Sequence, residues 1–127
     1  MRRADSLRIR GAAGEKLAEK ALRKRGAKIL ERNFSCPMGE IDLIARQGEY
    51  LLFVEVKLRK AQTFVSGEEA IGREKRRRIL KTAQAYLKIH PSELQPRFDA
   101  AILNEQEDGS FSLEYYENAF DAAEVFR

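Results

Sequence analysis

The sequence predicts an α/β fold: a single domain with a mixed central β-sheet flanked by helices, its elements in the order α-β-β-β-α-β-β. Three observations predict it. The 127 residues suit one domain with one core, and 43% hydrophobic content is enough to build that core. Apolar residues recur at three- and four-residue spacing in two separate stretches, 12–25 and 68–89. Short aliphatic runs bounded by turn residues fill the intervals and read as strands, an alternation that suits a sheet flanked by helices. The domain takes in residues 1–127, with its core at about 11–117 and a tail at each end.

The first helix rests on Ala13, Leu17, Ala18, Ala21 and Leu22, and Gly26 closes it. Residues 28–34 read as a strand, followed by a loop through Ser35-Cys36-Pro37-Met38-Gly39. A hairpin comes next, with arms at 39–45 and 52–57. Residues 59–67 are polar, and Thr63-Phe64-Val65-Ser66-Gly67 reads as a mobile loop near the hairpin. The second helix is lined on one face by Ile71, Ile79, Leu80, Ala83, Tyr86 and Leu87, after which Pro91 and Pro96 end it and mark a turn. Two further strands, 97–103 and 110–117, flank the acidic turn 104–109. The last ten residues read as a loose or partly helical tail. There is no internal repeat, low-complexity segment or second domain.

Composition narrows the function. Lys and Arg outnumber Asp and Glu by 24 to 20, and a pI near 9.3 suits a polyanionic partner, although a net charge of +4 is a weak pointer by itself. A lone cysteine, Cys36, excludes an internal disulfide and fits a reducing cytoplasm. No stretch approaches the apolar length of a membrane span, and the basic N-terminus lacks the apolar core of a signal peptide. One histidine, His90, removes multi-histidine metal sites, and there is no glycine-rich phosphate loop.

The hairpin carries the chemistry. Asp42, Glu55 and Lys57 stand in otherwise apolar strands (Ile41, Leu43, Ile44, Leu51, Leu52, Phe53, Val54, Val56), where charges are costly. Alternation puts Glu55 and Lys57 on one strand face. A two-residue turn at Gln47-Gly48 or Gly48-Glu49 sets Asp42 opposite Phe53 or Glu55, and either register places Asp42 on Glu55's face. Glu40 joins them. The competing interpretation is a solvent-facing ion-pair ladder, but three acids gathered near one lysine serve solubility poorly. Carboxylates converging beside an ammonium on a half-buried face form a hard-cation site, the equipment of a metal-dependent phosphodiesterase.

The second helix adds a basic run. Arg73, Lys75, Arg76, Arg77, Arg78 and Lys81 are countered by Glu74 alone, and helical geometry spreads Arg73, Arg76, Arg77 and Lys81 along one side. With no aromatic available for stacking except the core-like Tyr86, the pattern points to sequence-tolerant contact with phosphates; plain solubility is the competing interpretation.

Together these residues resemble the PD-(D/E)xK nuclease superfamily, with Asp42 as the first acid, Glu55 as the second and Lys57 as the lysine. Ile41 stands where the motif's name has proline. The ordered runs Gly14-Glu15-x-x-Ala18, Arg32-Asn33, residues 39–44, residues 53–57 and Arg97-Phe98-Asp99 resemble more closely the YraN-like family of small bacterial proteins, over about residues 11–103. The resemblance implies a restriction-endonuclease-like fold, similar to archaeal Holliday-junction resolvases, in which Glu15 matches a helix-borne acid of the metal site; without it, Glu15 is an ordinary first-turn acid. It implies Mg²⁺ or Mn²⁺ held by Asp42, Glu55 and the Val56 carbonyl, with Glu15 acting through water. It further implies Lys57 orienting the attacking water or offsetting developing charge, Arg59 retained after the lysine, and Glu40 as an accessory. The expected partner is nucleic acid, DNA more than RNA, contacted by Arg59, Arg73, Lys75, Arg76, Arg77 and Lys81. No membrane is expected, and a homodimer is left open. The alternative is a non-catalytic nucleic-acid-binding module working through the basic helix; an adaptor for acidic proteins is a third. Asp99 reads first as structural.

Overall fold

The structure is a computed structural model and describes residues 3–60 and 71–121, with side chains from residue 12 onward. Its elements are α1 (Arg3–Lys24), β1 (Lys28–Cys36), β2 (Gly39–Gln47), β3 (Tyr50–Arg59), α2 (Arg73–Ile89), β4 (Gln95–Glu105) and β5 (Phe111–Phe120). The α-β-β-β-α-β-β order and the mixed α/β sheet are as the sequence predicts. The five strands lie in the order β1-β2-β3-β4-β5, antiparallel except for β3 and β4, which run parallel because α2 carries the chain across one face between them.

Central β3 shows why the pattern folds this way. Leu51 and Phe53 face α2, packing with Ile79, Leu80, Ala83 and Tyr86, while Leu52 and Val54 face α1, packing with Ala18 and Leu22. A strand covered on both faces is apolar in nearly every position, and residues 51–54 are. The α2 side is held further by aromatic contacts, with Phe53 stacked on Phe98 at 5.3 Å and Tyr86 edge-on to Phe34 at 5.2 Å.

Several boundaries differ from the sequence-based expectation. The loop assigned to 35–39 shrinks to the turn Pro37-Met38, because β1 continues to Cys36. Pro96 does not stop a strand but lies near the start of β4, where only β3 pairs with it; β5 joins at Phe98, so no ladder hydrogen bond is forfeited. β5 runs on to Phe120, which belongs to the core, and so absorbs residues expected in the tail. Residues 63–67, assigned to a loop, and 68–70, assigned to the start of the second helix, lie outside the described residues; α2 starts at Arg73.

Candidate metal and nucleic-acid site

The site is built at a fork. β2 and β3 are joined by the turn Gly48-Glu49, since Gln47 pairs with Tyr50, and their ladder runs only as far as Leu43 opposite Val54. One residue further, side-chain alternation breaks on both β1 and β2. Asn33 adopts a left-handed backbone (φ 50°), which asparagine tolerates better than most residues. On β2, Leu43 packs on the α1 side, yet both Ile41 and Ile44 pack on the α2 side. Asp42 sits at this kink, and its Oδ2 accepts a hydrogen bond from the Val56 N–H of β3 at 2.8 Å. The carboxylate thus replaces the backbone partner that β3 loses where the strands part.

Glu55 meets Asp42 here, as either register predicted, though at a fork and not across a flat face. Glu55 is 5% exposed and Asp42 half-buried, and the two carboxyls lie close enough for each to act on the ionisation of the other. Burial, reinforced by the Asp42 charge, pushes the Glu55 carboxyl up to about 7, and burial raises Asp42 as well. Two adjacent carboxyls that shed protons reluctantly are the electrostatic signature of a site short of positive charge.

Glu15 approaches from the α1 side. Gly14 makes this approach feasible, because a Cβ there would lie 2.8 Å from Leu103 Cδ1. With the Asn33 amide turned so that its nitrogen faces the acids, it donates to Glu15 at 3.1 Å and Glu40 at 3.2 Å. Burial and then the Asp42 charge raise the Glu15 carboxyl. Asn33 therefore gathers two acids beside the third, a role absent from the sequence-based residue set although Arg32-Asn33 is among the family-like runs. Glu40 turns to Asn33.

Lys57 lies two residues beyond Glu55 on the same side of β3 by alternation, beside Ile102 of β4, and is half-buried. The lysine in contact with Glu55 is Lys75 of α2, which forms an ion pair with Glu55 Oε1. Lys75, expected among the phosphate contacts, is thus first of all a partner of the acid pair. Arg78, not among the expected contacts, lines the same cleft. That cleft measures about 550 Å³ and is bounded by Ser35, Glu40, Asp42, Glu55, Lys75 and Arg78 among others. Gly39 lets the β1–β2 turn close against α2, since a Cβ there would lie 2.9 Å from Thr82 Oγ1.

The remaining basic residues divide. Arg73, Arg77 and Lys81 are exposed on α2, as phosphate contact requires. Arg76 is instead turned inward: its Nε donates to the Ile71 carbonyl at 2.9 Å and its guanidinium lies 5.5 Å from the Phe120 ring centroid. Arg59 is half-buried, and its Nη2 is buried with no hydrogen-bond partner among the described residues.

A family model described as "Uncharacterised protein family UPF0102" matches residues 14–103, from the glycine that admits α1 through β3, α2 and most of β4. The chain belongs to the UPF0102 family. This is the YraN-like group that the ordered motifs resemble. Curated relatives, each a UPF0102 protein, include one from Syntrophotalea carbinolica, 42% identical over 87% of this chain and 90% of its own length. One from Caldanaerobacter subterraneus is 47% identical over 70% of this chain and 74% of its own. Another, from Hahella chejuensis, is 44% identical over 80% and 82%. The matched region contains Glu15, Asn33, Glu40, Asp42, Glu55, Lys57, Lys75 and Arg78.

Whether the donors suit a metal follows from their chemistry. Among the described residues no three His, Cys, Asp or Glu side chains form a ready metal cage. Asp42 and Glu55 offer two carboxylates, and with the Val56 carbonyl they make an all-oxygen set of the kind hard cations take, completed elsewhere by water and substrate phosphate. The set fits Mg²⁺ or Mn²⁺ better than zinc, which favours nitrogen and sulfur. No helix among the described residues is long and apolar enough to cross a membrane.

Proposed function

We propose that this protein is a metal-dependent endonuclease that hydrolyses phosphodiester bonds, with DNA as the favoured substrate. The observation that carries the reading is the Asp42–Glu55 pair: two adjacent, desolvated carboxyls at a strand fork, opening into a cleft rimmed by Lys75 and Arg78. In a purely structural role this pair would burden the fold, since burying acids without full compensation is unfavourable.

Asp42, Glu55 and the Val56 carbonyl would hold Mg²⁺ or Mn²⁺, with Glu15 placed to act through water. Bound there, the ion would polarise the scissile phosphate and acidify water. Asp42 is fixed by the Val56 N–H, so its other oxygen keeps a defined direction. Lys57 supplies a compact positive charge on the Glu55 side of β3, suited to orienting the nucleophile or offsetting charge that develops on the phosphoryl group. Arg73, Arg77, Arg78 and Lys81 would hold the substrate backbone without reading its sequence.

The test is cleavage of flap, Holliday-junction, single-stranded and duplex DNA with Mn²⁺, together with calorimetry of the ion. Wild type should cleave at least one substrate and bind the ion, and Asp42→Ala and Glu55→Ala should do neither. Equal Mn²⁺ binding by wild type and both variants would end the metal reading. The exposed basic face of α2 favours a second reading, a non-catalytic nucleic-acid-binding module, which predicts salt-dependent DNA binding without cleavage under any of these conditions.

A further inference from the structure

The lysine that meets the acid pair comes from the first turn of α2 and not from the strand that carries Glu55. The ion pair is lopsided: the Glu55 side chain is 5% exposed, whereas that of Lys75 is 46% exposed. A buried carboxylate is thus neutralised by a half-solvated ammonium on a long flexible stem. Lys75 reaches into the cleft that Asp42 lines, and Arg78, one turn further along α2 and 61% exposed, faces the same space. The helix itself is seated closely against the β1–β2 turn at Gly39, so the point from which Lys75 reaches is set by packing.

We propose that Lys75 is a tethered counter-cation for the acid pair: it neutralises Glu55 until a divalent ion enters, is displaced by that ion, and then joins Arg78 in holding a nucleic-acid phosphate in the cleft. This rests on the metal-dependent reading of the site. A divalent ion carries twice the charge of the ammonium and needs the same oxygens, and the two positive charges repel at contact distance, so they exclude each other there. While Lys75 occupies the site the protein is not competent for metal, and apparent affinity falls in proportion to the fraction of molecules with the acids free. The displaced ammonium gains a phosphate contact, so cation and nucleic acid each tighten the binding of the other, as linkage requires.

The experiment uses the full chain. Mn²⁺ binding to wild type, Lys75→Gln and Lys88→Gln is compared by calorimetry; Lys88→Gln removes the same charge from an exposed position in the last turn of α2. Lys75→Gln should bind Mn²⁺ on the order of tenfold more tightly than wild type, and Lys88→Gln within about twofold. In wild type bearing isotope-labelled dimethyl-lysines, the NMR signal assigned through its loss in Lys75→Gln should move on Mg²⁺ saturation to the position of a solvated lysine. Lys75→Gln binding no more tightly than Lys88→Gln, or a Lys75 signal unmoved by saturating Mg²⁺, would overturn the counter-cation while leaving Asp42 and Glu55 as metal ligands. Folded wild type and Lys75→Gln both failing to bind Mn²⁺ would overturn the metal reading and this inference together.

Discussion

Two buried acid sites occupy the same sheet, and they are built on opposite terms. Asp99 of β4 is fully buried and surrounded by donors: Arg97 Nε and Nη2 (both 2.9 Å), the Tyr115 hydroxyl (2.6 Å) and the Asn118 N–H (2.9 Å). Arg97 in turn donates to Gln47 and lies over the Tyr50 ring, so the network ties β4 to β5 and to the end of the β2–β3 hairpin. Burial, with the neighbouring Asp99 carboxylate, pushes the Tyr115 hydroxyl up, which keeps it a donor. Asp42 and Glu55, by contrast, lie side by side with one backbone N–H and one half-exposed lysine for support. Satisfied polar burial holds a fold together; under-compensated polar burial costs the fold, and a bound cation of the kind proposed would offset that cost.

The contrast makes its largest prediction in stability. Asp99→Ala should cost on the order of 3–5 kcal/mol, because Arg97, the Tyr115 hydroxyl and the Asn118 N–H all lose their shared buried acceptor, and Arg97 keeps only the longer pairing with the exposed Glu117 and its contacts with Gln47 and Tyr50. Glu55→Gln in EDTA should be neutral or mildly stabilising. Urea melts of the two variants check this, and equal losses would erase the distinction between the sites. In catalysis the order reverses. Lys57→Ala should retain the fold and most DNA affinity while lowering turnover by about 10²-fold or more, with Lys57→Arg restoring little, since a planar guanidinium replaces a compact charge poorly. Turnover on whichever substrate wild type cleaves decides the matter, and equal rates would remove Lys57 from the chemistry.

A smaller effect lies in pH. The folded Glu55 carboxyl, at about 7, stands above its ordinary value of 4.5, so the native state holds a proton that the unfolded chain has released. Its contribution is therefore fully present below pH 4.5 and is lost as the pH rises through about 7, on the order of 1–3 kcal/mol. Thermal melts in EDTA should show that decline in wild type and a smaller one in Glu55→Gln, where Asp42 alone remains raised by burial; a flat wild-type profile would mean that the acid pair is better compensated than its surroundings indicate. The smallest effect belongs to the exposed face of α2. Arg73→Gln, Arg77→Gln and Lys81→Gln combined should flatten the logarithmic salt dependence of duplex binding by roughly two or three units. Arg76→Gln should leave the slope alone and lower the melting temperature, as its contacts with Ile71 and Phe120 imply.

Much of this was legible in the chain, for identifiable reasons. The apolar period of α2 and the aliphatic run of β3 are local patterns, and the Gly48-Glu49 turn fixes the register that brings Asp42 to Glu55. What alternation could not show is the kink at Asn33 and Asp42, since a left-handed residue inside a strand leaves no apolar signature. Lys75 and Arg78 were equally hidden. In sequence they are two members of a basic run; only the docking of α2 against the β1–β2 turn decides which of its charges enter the cleft and which, like Arg76, are spent on the core. Asp99 reads as structural in the sequence, and the four donors around it agree.

The hydrogen bond from the Val56 N–H to Asp42 gives the two acids different evolutionary fates. Asp42 works for the backbone as well as for the cleft, so replacing it strands a β3 amide, and the fold alone would select for keeping it. Glu55 has no such second employer. A lineage without the proposed chemistry would be free to exchange Glu55 and Lys75 together for an apolar pair while holding on to Asp42. The residue that would mark the proposed chemistry in any descendant of this fold is therefore the glutamate, and a surviving aspartate alone vouches only for the architecture.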